Sequence, residues 1–297
     1  MRAVGIDIGG SFIKAGLVDP ETGCVLDRRV VPFPRGKGSD AVWDAAAEAV
    51  NGLLAAGGMA PGDLDCLGAA VPGSLDPLKT RVIHAYNLDF HGTQIRKALE
   101  TKFPDVPLGI LNDGDAATLA EHRFGALKGT MTSALITLGT GVGGGLILGG
   151  RLFGGGRGNG VEIGHMTLNY DGERHICGNI GCVEMYCSAQ ALVSPRDPFS
   201  SPRRTIDRIL KRDPGTAEIL ERYADALSSA IVSLTNLLDP EVIALGGGVS
   251  NAGPALLMST ARKVAEKSFF KIEYPIVKAI LGNDAGIVGA AVAQLHL

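Results

Sequence analysis

Glycine-rich turns that follow predicted strands are the first feature of this sequence that could do chemistry. Three of them occur. At the first two the backbone N–H groups can come close to phosphate oxygens, and the backbone of the third could pack against a nucleotide base or ribose. A tight structural turn would explain any single one, whereas three in one chain favour a phosphate-bearing ligand. The first turn comprises Gly9, Gly10 and Ser11, the second Gly139, Thr140 and Gly141, and the third Gly246, Gly247 and Gly248.

Asp7 and Lys14 flank the first turn. The Asp7 carboxylate could hold Mg²⁺ directly or through water, and Lys14 would add positive charge beside a phosphate. The alternative is a tight hairpin with a surface carboxylate. The second turn is not a P-loop, because no Gly-Lys-Ser or Gly-Lys-Thr follows it. It is not a dinucleotide fingerprint either, because a strand rather than a helix is predicted after it.

Asp113 follows Asn112 at the point where a predicted strand gives way to a predicted helix. A carboxylate in this position could accept the proton of an attacking hydroxyl group during phosphoryl transfer. The alternative is that Asp113 only caps the helix N-terminus. Asp115 is a second candidate for the base, but it lies one position past the usual N-terminal turn.

Two sets of strands and helices are predicted to position these residues. The pattern in the first half is strands at 3–8, 12–18, 24–31, 66–71 and 108–112, helices at 40–56 and from Gly114 to about Phe124, and a loop-rich stretch at 72–92. The second half contains strands at 132–138, 144–149 and 241–245, helices at 216–238, 254–266 and 286–296, and a polar surface excursion at Ser194–Arg204. This alternation predicts an α/β fold.

An internal repeat relates the two halves. Shifted by 130 positions, residues Ile6–Leu17 lie over Ile136–Ile147, and both segments read as strand, glycine-rich turn and strand. Two unrelated hairpins would give the same pattern. The alternative is that one βββαβα unit occurs twice and that its two copies face each other across a cleft.

Composition restricts the possible partners. The formal net charge is -3 and no block of Lys and Arg is present, so no nucleic-acid partner is expected. The sequence enters a predicted strand directly from Met1, without a signal-peptide pattern, and its apolar runs are too short for a membrane partner. Five cysteines, an odd number, indicate a cytoplasmic protein rather than a disulfide framework.

Three segments resemble known nucleotide-binding elements. MRAVGIDIGGSFIKAGLVD, LITLGTGVGGGLILGG and VIALGGGVS are similar to the phosphate-1, phosphate-2 and adenosine elements of the actin-like ATPase superfamily. The resemblance implies two duplicated, ribonuclease H-like lobes with a ligand cleft between them and ATP as a ligand. We expect a small lobe of residues 1–112, on which the C-terminal helix 286–297 packs, and a large lobe of residues 113–285 that contains a zinc-type loop at 165–182.

Glutamate, histidine and cysteine between residues 162 and 184 give the most specific resemblance. EIGH at 162–165 and HICGNIGCVE at 175–184 are similar to the ExGH and CxCGxxGCxE signature of the ROK family, and NDAGIVGAA at 283–291 resembles its C-terminal end. The resemblance implies a sugar kinase with Asp113 as catalytic base. The sugar-binding residues that it implies are Gly73, Asn87, Asn112, Asp113, Glu162, His165 and Glu184.

The family resemblance also implies a structural Zn²⁺ ion. His165, Cys177 and Cys182 match three of its ligands, and His175 replaces the first cysteine of the signature. Imidazole is a good zinc ligand, so a site of two histidines and two cysteines is expected. The alternative is a loop packed by buried thiols and a hydrogen-bonded histidine.

Several functional alternatives remain open at this point. A ROK repressor carries a helix-turn-helix ahead of the first glycine turn, and only seven residues reach as far as Asp7 here. A sugar sensor without catalysis would have a damaged phosphate turn or base, and both are intact. Glucose is the expected substrate, but kinases for N-acetylmannosamine, N-acetylglucosamine, fructose and allose share these motifs. The donor could be ATP or polyphosphate, and the resemblance implies a homodimer.

Overall fold

The computed structural model describes residues 1–86, 88–193 and 200–295, and the chain divides into two units. The first unit comprises Met1–Phe124, Leu152–Val161 and Asn283–Leu297, and the second comprises Gly125–Arg151 and Glu162–Gly282. The sequence had suggested a division at residue 112. In the structure the helix that follows Asn112 belongs to the first unit, as does the C-terminal helix.

The elements of the first half are β1 (Ala3–Ile8), β2 (Phe12–Val18), β3 (Val25–Pro32), α1 (Gly38–Ala56), β4 (Cys66–Val71), β5 (Ser74–Leu75), β6 (Arg81–Ala85), β7 (Phe90–Gln94), α2 (Arg96–Lys102), β8 (Leu108–Asn112) and α3 (Asp113–Phe124). The second half contains β9 (Thr132–Leu138), β10 (Val142–Leu148), β11 (Arg151–Leu152), α4 (Val183–Cys187), α5 (Pro202–Leu210), α6 (Ala217–Leu238), β12 (Val242–Gly246), α7 (Pro254–Lys267), β13 (Ile276–Lys278) and α8 (Ala285–Val292).

The two five-stranded sheets have the same topology. Their strand orders are β3-β2-β1-β4-β8 and β11-β10-β9-β12-β13. In the first sheet the central strand β1 pairs antiparallel with β2 on one side and parallel with β4 on the other. In the second sheet the central strand β9 pairs antiparallel with β10 and parallel with β12. The predicted duplication of an α/β unit is therefore confirmed.

The two hairpins differ by one residue at the turn. Ile8 pairs with Ile13 in the first hairpin, whereas Leu138 pairs with Val142 in the second. The second turn is therefore one residue shorter, although the strands lie close to the predicted offset of 130 positions.

Helices cover the first sheet on both faces because its central strands are apolar on both sides. Ile6 and Ile8 share a hydrophobic core with residues of α1, such as Trp43. Side chains alternate along a strand, so Gly5 faces the other side, where α8 packs on β1 and β4. A Cβ atom on Gly5 would lie 1.9 Å from the carbonyl oxygen of Ile287, so only glycine permits this approach.

In the second unit α6 packs against α7 and α4, and α7 packs against β13. The buried residues of β9 and β12 are apolar except for Ser133, as expected for central strands. Among the described helices, none has both the length and the apolar character that a membrane crossing requires.

The stretch 72–92 was predicted as loop-rich, and this expectation was wrong. β5, β6 and β7 form a separate antiparallel sheet there. Its first turn is held by Asp76, whose Oδ1 accepts hydrogen bonds from the N–H groups of Thr80 (2.6 Å) and Arg81 (2.9 Å). The strands are short and the turn depends on a side chain, so the hydrophobic pattern gave little signal.

The predicted surface excursion Ser194–Arg204 is partly helical. Helix α5 begins at Pro202, and the Ser201 hydroxyl oxygen accepts a hydrogen bond from the N–H of Arg204 as an N-cap. Residues 194–199 lie outside the described residues.

Candidate active site

The first glycine turn connects β1 and β2 and places Asp7 directly opposite Lys14. The Lys14 Nζ atom donates a hydrogen bond to Asp7 Oδ2 at 2.8 Å, and both residues are half-buried. The Gly9 N–H bonds to the Phe12 carbonyl oxygen, which closes the turn. Ser11 is exposed. A carboxylate oxygen beside exposed backbone is a donor set that suits magnesium.

Asn112, rather than Asp113, caps helix α3. The Asn112 Oδ1 atom accepts hydrogen bonds from the N–H groups of Gly114 (2.8 Å) and Asp115 (3.4 Å). The Asn112 amide nitrogen donates to the carbonyl oxygen of Gly73 at 2.8 Å. Asp113 is the first residue of the helix and is exposed. Its Oδ1 atom also accepts a hydrogen bond from the Gly114 N–H at 2.9 Å, whereas Oδ2 takes no part in the cap.

The Asp113 carboxyl group has a raised pKa. Desolvation by the surrounding protein is the largest cause and raises the pKa to about 6; the Gly114 N–H opposes this shift, and the negative charge of Asp7 adds to it. Water reaches the exposed residue, and the resulting screening weakens the shift without reversing its direction. A carboxyl group with a pKa of about 6 is ionised at neutral pH, so Asp113 is suited to act as a general base.

Asp115 differs from Asp113 because it is buried. Desolvation raises its pKa to about 6, Lys79 lowers it, and Asp113 raises it. One of its oxygens, Oδ1, has no hydrogen-bond partner among the described residues. The other lies beside Gly160, where a Cβ atom would come within 2.7 Å of it. Asp115 is therefore packed inside the first unit and is less accessible to a hydroxyl group than Asp113.

Gly73 lies next to Asn112 and is held in a left-handed conformation with φ of 91°. A Cβ atom there would lie 2.0 Å from the carbonyl oxygen of His84, so the site excludes any side chain. The structure thus brings Gly73, Asn112 and Asp113 together. Asn87 lies outside the described residues.

The other two glycine turns meet in the second unit. Gly247 follows β12 with φ of 76°, and a Cβ atom there would lie 2.4 Å from the carbonyl oxygen of Leu138. Leu138 directly precedes the turn of Gly139, Thr140 and Gly141. The turn is closed by the Gly139 N–H, which bonds to the Gly141 carbonyl oxygen at 2.9 Å. Residues 139–141 and 246–248 therefore form one glycine-lined surface.

Glu162 and His165 lie in a loop that packs on β10. A Cβ atom on Gly164 would lie 2.0 Å from the carbonyl oxygen of Val142, which explains the glycine of this motif. Glu162 is exposed and His165 is half-buried. Desolvation lowers the pKa of His165 and His175 lowers it further, while Glu184 opposes the shift. The histidine is therefore neutral at physiological pH.

Glu184 in α4 connects the histidine and cysteine cluster with the second glycine turn. Its Oε2 atom accepts a hydrogen bond from the Val142 N–H at 2.8 Å, and its Oε1 atom lies 3.1 Å from His175 Nε2. The carboxylate also lies against Gly141. The sequence did not predict these contacts, because Glu184 and Val142 are 42 residues apart.

The four predicted zinc ligands lie together. The ligand atoms of His165, His175, Cys177 and Cys182 all lie within 4.8 Å of one another. The two sulfur atoms are 3.6 Å apart, close to the roughly 3.8 Å expected on a tetrahedral zinc ion with Zn–S bonds of about 2.3 Å. His165 Nδ1 is buried without a hydrogen-bond partner among the described residues, as an unfilled ligand atom would be.

The electrostatics of this cluster also suit a metal ion. Desolvation would raise the pKa of the Cys177 thiol, but hydrogen bonds from His175, Asn179 and Cys182 lower it below its ordinary value. Burial, together with the neighbouring Cys177, raises the pKa of Cys182 to about 11. The lowered pKa of Cys177 favours the thiolate form, which is the form that binds a metal ion. The residues fit zinc. Cys187, outside the pattern, is buried in α4.

The duplicated sheets, each with a glycine turn between its central strand and the next, define the two-lobe actin-like kinase fold. The chain belongs to the ROK family, whose model matches residues 3–295. A glucokinase from Streptomyces coelicolor is 31% identical over 97% of this chain and 96% of its own length. An N-acetylmannosamine kinase from Haemophilus influenzae is 31% identical over 98% of this chain and 94% of its own length.

One solved structure with a bound ligand is also similar. The crystal structure of a ROK family glucokinase from Streptomyces griseus in complex with glucose and AMPPNP matches with a TM-score of 0.86 at 30% identity, and it covers 99% of this chain and 100% of that one.

Proposed function

We propose that this chain, an ATP-dependent sugar kinase of the ROK family, transfers the γ-phosphoryl group of ATP to the 6-hydroxyl group of glucose. The similarity to glucokinases over nearly the whole chain supports glucose as the sugar. The N-acetylmannosamine kinase of equal identity makes that sugar the second candidate. N-acetylglucosamine, fructose and allose remain alternatives, because kinases for these sugars share the motifs named above and the loops around the sugar determine which one is accepted.

Asp113 is the proposed catalytic base. The observation that carries this assignment lies at the start of α3, where Asn112 caps the helix and the Asp113 carboxylate is exposed. Asp113 accepts the proton of the 6-hydroxyl group as its oxygen attacks the γ-phosphorus atom. The bond between that phosphorus and the β–γ bridging oxygen breaks, and ADP leaves.

The sugar hydroxyl groups are assigned to residues with paired donors and acceptors. Asn112 retains one amide hydrogen beyond its three structural hydrogen bonds, two of which occupy the acceptor positions of Oδ1. Neutral His165 offers one donor or acceptor, according to its tautomer. The other proposed sugar-binding residues are Gly73, Asn87, Glu162 and Glu184.

The phosphate groups of ATP are assigned to the glycine turns. Lys14 and the backbone N–H groups of Gly10 and Ser11 would bind phosphate oxygens, as would the backbone of the second turn. Gly9, whose N–H closes the first turn, would let the backbone come close to the phosphate. The turn at Gly246, Gly247 and Gly248 would accommodate the adenosine. Asp7 would hold magnesium, which when bound offsets negative charge on the phosphate oxygens. His165, His175, Cys177 and Cys182 would hold a structural zinc ion that fixes the loop.

We also propose a cytoplasmic homodimer. The five cysteines are free thiols in the structure, as in a reducing compartment that also supplies ATP. The homodimer rests on family resemblance, and light scattering coupled to size-exclusion chromatography tests it.

A coupled kinase assay over a panel of sugars tests the substrate assignment. The acceptors are glucose, mannose, fructose, allose, N-acetylglucosamine and N-acetylmannosamine, each with ATP or polyphosphate as donor. We expect the highest kcat/KM for glucose with ATP. A higher value for N-acetylmannosamine would reject glucose, and activity with polyphosphate alone would reject ATP. Hydrolysis of ATP that no sugar stimulates would reject the kinase assignment.

A further inference from the structure

His175 is where this chain departs from the cysteine pattern of its family. The two nitrogens of its ring face different partners. Nδ1 lies 3.1 Å from Cys177 Sγ, and Nε2 lies 3.1 Å from Glu184 Oε1. The His175 side chain is 12% exposed and the Glu184 side chain is 26% exposed, so both partners are largely shielded from water.

A cysteine at this position could not make both contacts. A thiolate that binds zinc has no remaining hydrogen to donate. A histidine that binds zinc through Nδ1 carries its hydrogen on Nε2, and it commonly donates that hydrogen to a carboxylate. The positions of Cys177 and Glu184 on opposite sides of the His175 ring match this arrangement.

Glu184 is then held at both of its oxygens. The Val142 N–H of β10 bonds to Oε2, and His175 bonds to Oε1. Each carboxylate oxygen keeps one further acceptor position. A carboxylate fixed in this way loses little conformational entropy when it binds a sugar hydroxyl group.

We propose that His175 is a positioning residue that binds the structural metal through Nδ1 and orients the sugar-binding carboxylate of Glu184 through Nε2–H. In this chain the zinc loop and the sugar site are therefore joined by one imidazole ring. The inference rests on the proposed function insofar as Glu184 contacts the sugar.

Nuclear magnetic resonance without any sugar tests whether His175 binds the metal through Nδ1. Long-range ¹H–¹⁵N spectra of the full chain, recorded before and after addition of one equivalent of Zn²⁺, report the state of both nitrogens of His175. We expect a metal-bound Nδ1 and a protonated Nε2. A metal-bound Nε2, or no change in the His175 signals on addition of zinc, would overturn the assignment.

The substitution His175→Cys tests whether His175 orients the Glu184 carboxylate. It restores a thiolate ligand but removes the donor to Glu184. We expect one zinc ion per chain by mass spectrometry, a rise of about tenfold in the sugar Kd and KM, and a kcat within about threefold of the wild type. An unchanged Kd in a variant that holds zinc would overturn the proposal.

A double-mutant cycle with Glu184→Gln separates positioning from general disturbance of the loop. Effects that reach the sugar through other residues, such as His165, are the same in both backgrounds. We therefore expect His175→Cys to weaken sugar binding about tenfold when Glu184 is present and less than threefold in the Glu184→Gln protein. Equal effects in the two backgrounds would overturn the proposal, whether or not the variant retains zinc.

Calorimetric titration with the best sugar of the panel provides the Kd values. If that sugar is not glucose, the substrate proposal fails while the cycle still decides the role of His175. If no sugar binds, the proposed function fails, and the spectra still decide which nitrogen binds the metal.

Discussion

Asn112 and Asp113 are consecutive residues with different structural roles. Asn112 uses its amide oxygen to cap α3 and its amide nitrogen to hold Gly73. Asp113 stands exposed at the first helical position, close enough to Asp7 that their charges repel. The Gly114 N–H occupies only Oδ1 of the Asp113 carboxylate, so Oδ2 is free to exchange a proton with a bound hydroxyl group.

The substitution Asp113→Asn is expected to abolish turnover and retain sugar binding. The amide is nearly isosteric with the carboxylate but cannot accept the proton of the hydroxyl group. General base catalysis contributes about 10²- to 10⁴-fold, so kcat should fall by that factor while the sugar Kd stays within a few-fold. Stopped-flow kinetics and calorimetric titration measure the two quantities. Asp115→Asn, a matched change two residues away, is the control and should keep most of the activity.

The raised pKa of Asp113 predicts the acid limb of the pH profile. The base must be ionised, so kcat/KM for the sugar, which reports the pKa values of the free enzyme, should be constant above a pH of about 6 and fall tenfold per pH unit below it. At the ordinary carboxyl pKa of 3.8 the fall would begin about two pH units lower. Because Asp115 has a similar pKa, the profile of Asp115→Asn must show the same limb. If the acid limb disappears in Asp115→Asn, the group that titrates is Asp115 and not Asp113.

Individual side chains were predictable from sequence where their partners are close along the chain. The pairing of Asp7 with Lys14 follows from a hairpin with its turn at Gly9 to Ser11. The environment of Glu184 was not predictable, because Val142 reaches it only through the packing of α4 beside β10. The carboxylate type and its spacing from Cys182 identified the residue, but its two hydrogen bonds needed the fold.

At the scale of elements, α8 is held against the first sheet by glycines rather than by large apolar side chains. A Cβ atom on Gly68 of β4 would lie 1.7 Å from the carbonyl oxygen of Ala290. On the other side of the helix, Gly289 would place a Cβ atom 1.8 Å from the carbonyl oxygen of Ala116 in α3. Backbone therefore packs directly on backbone from β4 through α8 to α3, which begins at Asp113.

Gly68→Ala should destabilise the first unit strongly. The added methyl group meets backbone that cannot rotate away. The free energy of unfolding should therefore fall by about 3 kcal/mol or more, at or above the upper end of the roughly 1–3 kcal/mol typical of overpacking. Urea denaturation followed by circular dichroism measures this change. Gly62→Ala is the matched control, since no atom lies within 4 Å of a Cβ at that position and its effect should be below about 0.5 kcal/mol. Equal stability of the two variants would contradict the close packing of α8.

The strand bounds that were predicted correctly belong to apolar runs that are flanked by glycine, proline or charged residues. β1, β2, β4, β8 and β9 have the predicted bounds for this reason. The sheet of β5, β6 and β7 was missed because its strands have two to five residues and its register depends on Asp76, whose side chain replaces a backbone turn signal. Short helices such as α2 and α4 were missed because five to seven residues carry no usable periodicity.

At the scale of the whole molecule, one sheet topology serves two different tasks. The first copy carries the proposed base and magnesium ligand, Asp113 and Asp7. The second copy carries the proposed zinc loop, which is inserted after β11, and Glu184. Topology follows from the repeat in the sequence, whereas the difference in task follows from insertions that have no counterpart in the other copy.

Removal of the metal should therefore affect the molecule locally. The four proposed ligands lie in the second unit, where turns and isolated bridges rather than a long helix or strand hold residues 166–182. A bound ion would add a further constraint to this loop, because metal binding adds directly to folding free energy. Treatment with a chelator should lower Tm by several degrees and increase amide hydrogen exchange in residues 162–187, with exchange in β1 and β4 unchanged.

Two substitutions distinguish loss of the metal from a general effect of the chelator. Cys177→Ala removes a proposed ligand and should reproduce the exchange pattern of the chelated protein with no further response to chelator. Cys187→Ala removes a buried thiol five residues from Cys182 and should keep one zinc ion per chain and its protection of residues 162–187. Increased exchange across β1 and β4 in the chelated protein would show that the metal supports the whole fold. Unchanged exchange at 162–187 would favour a loop that packed thiols hold without an ion.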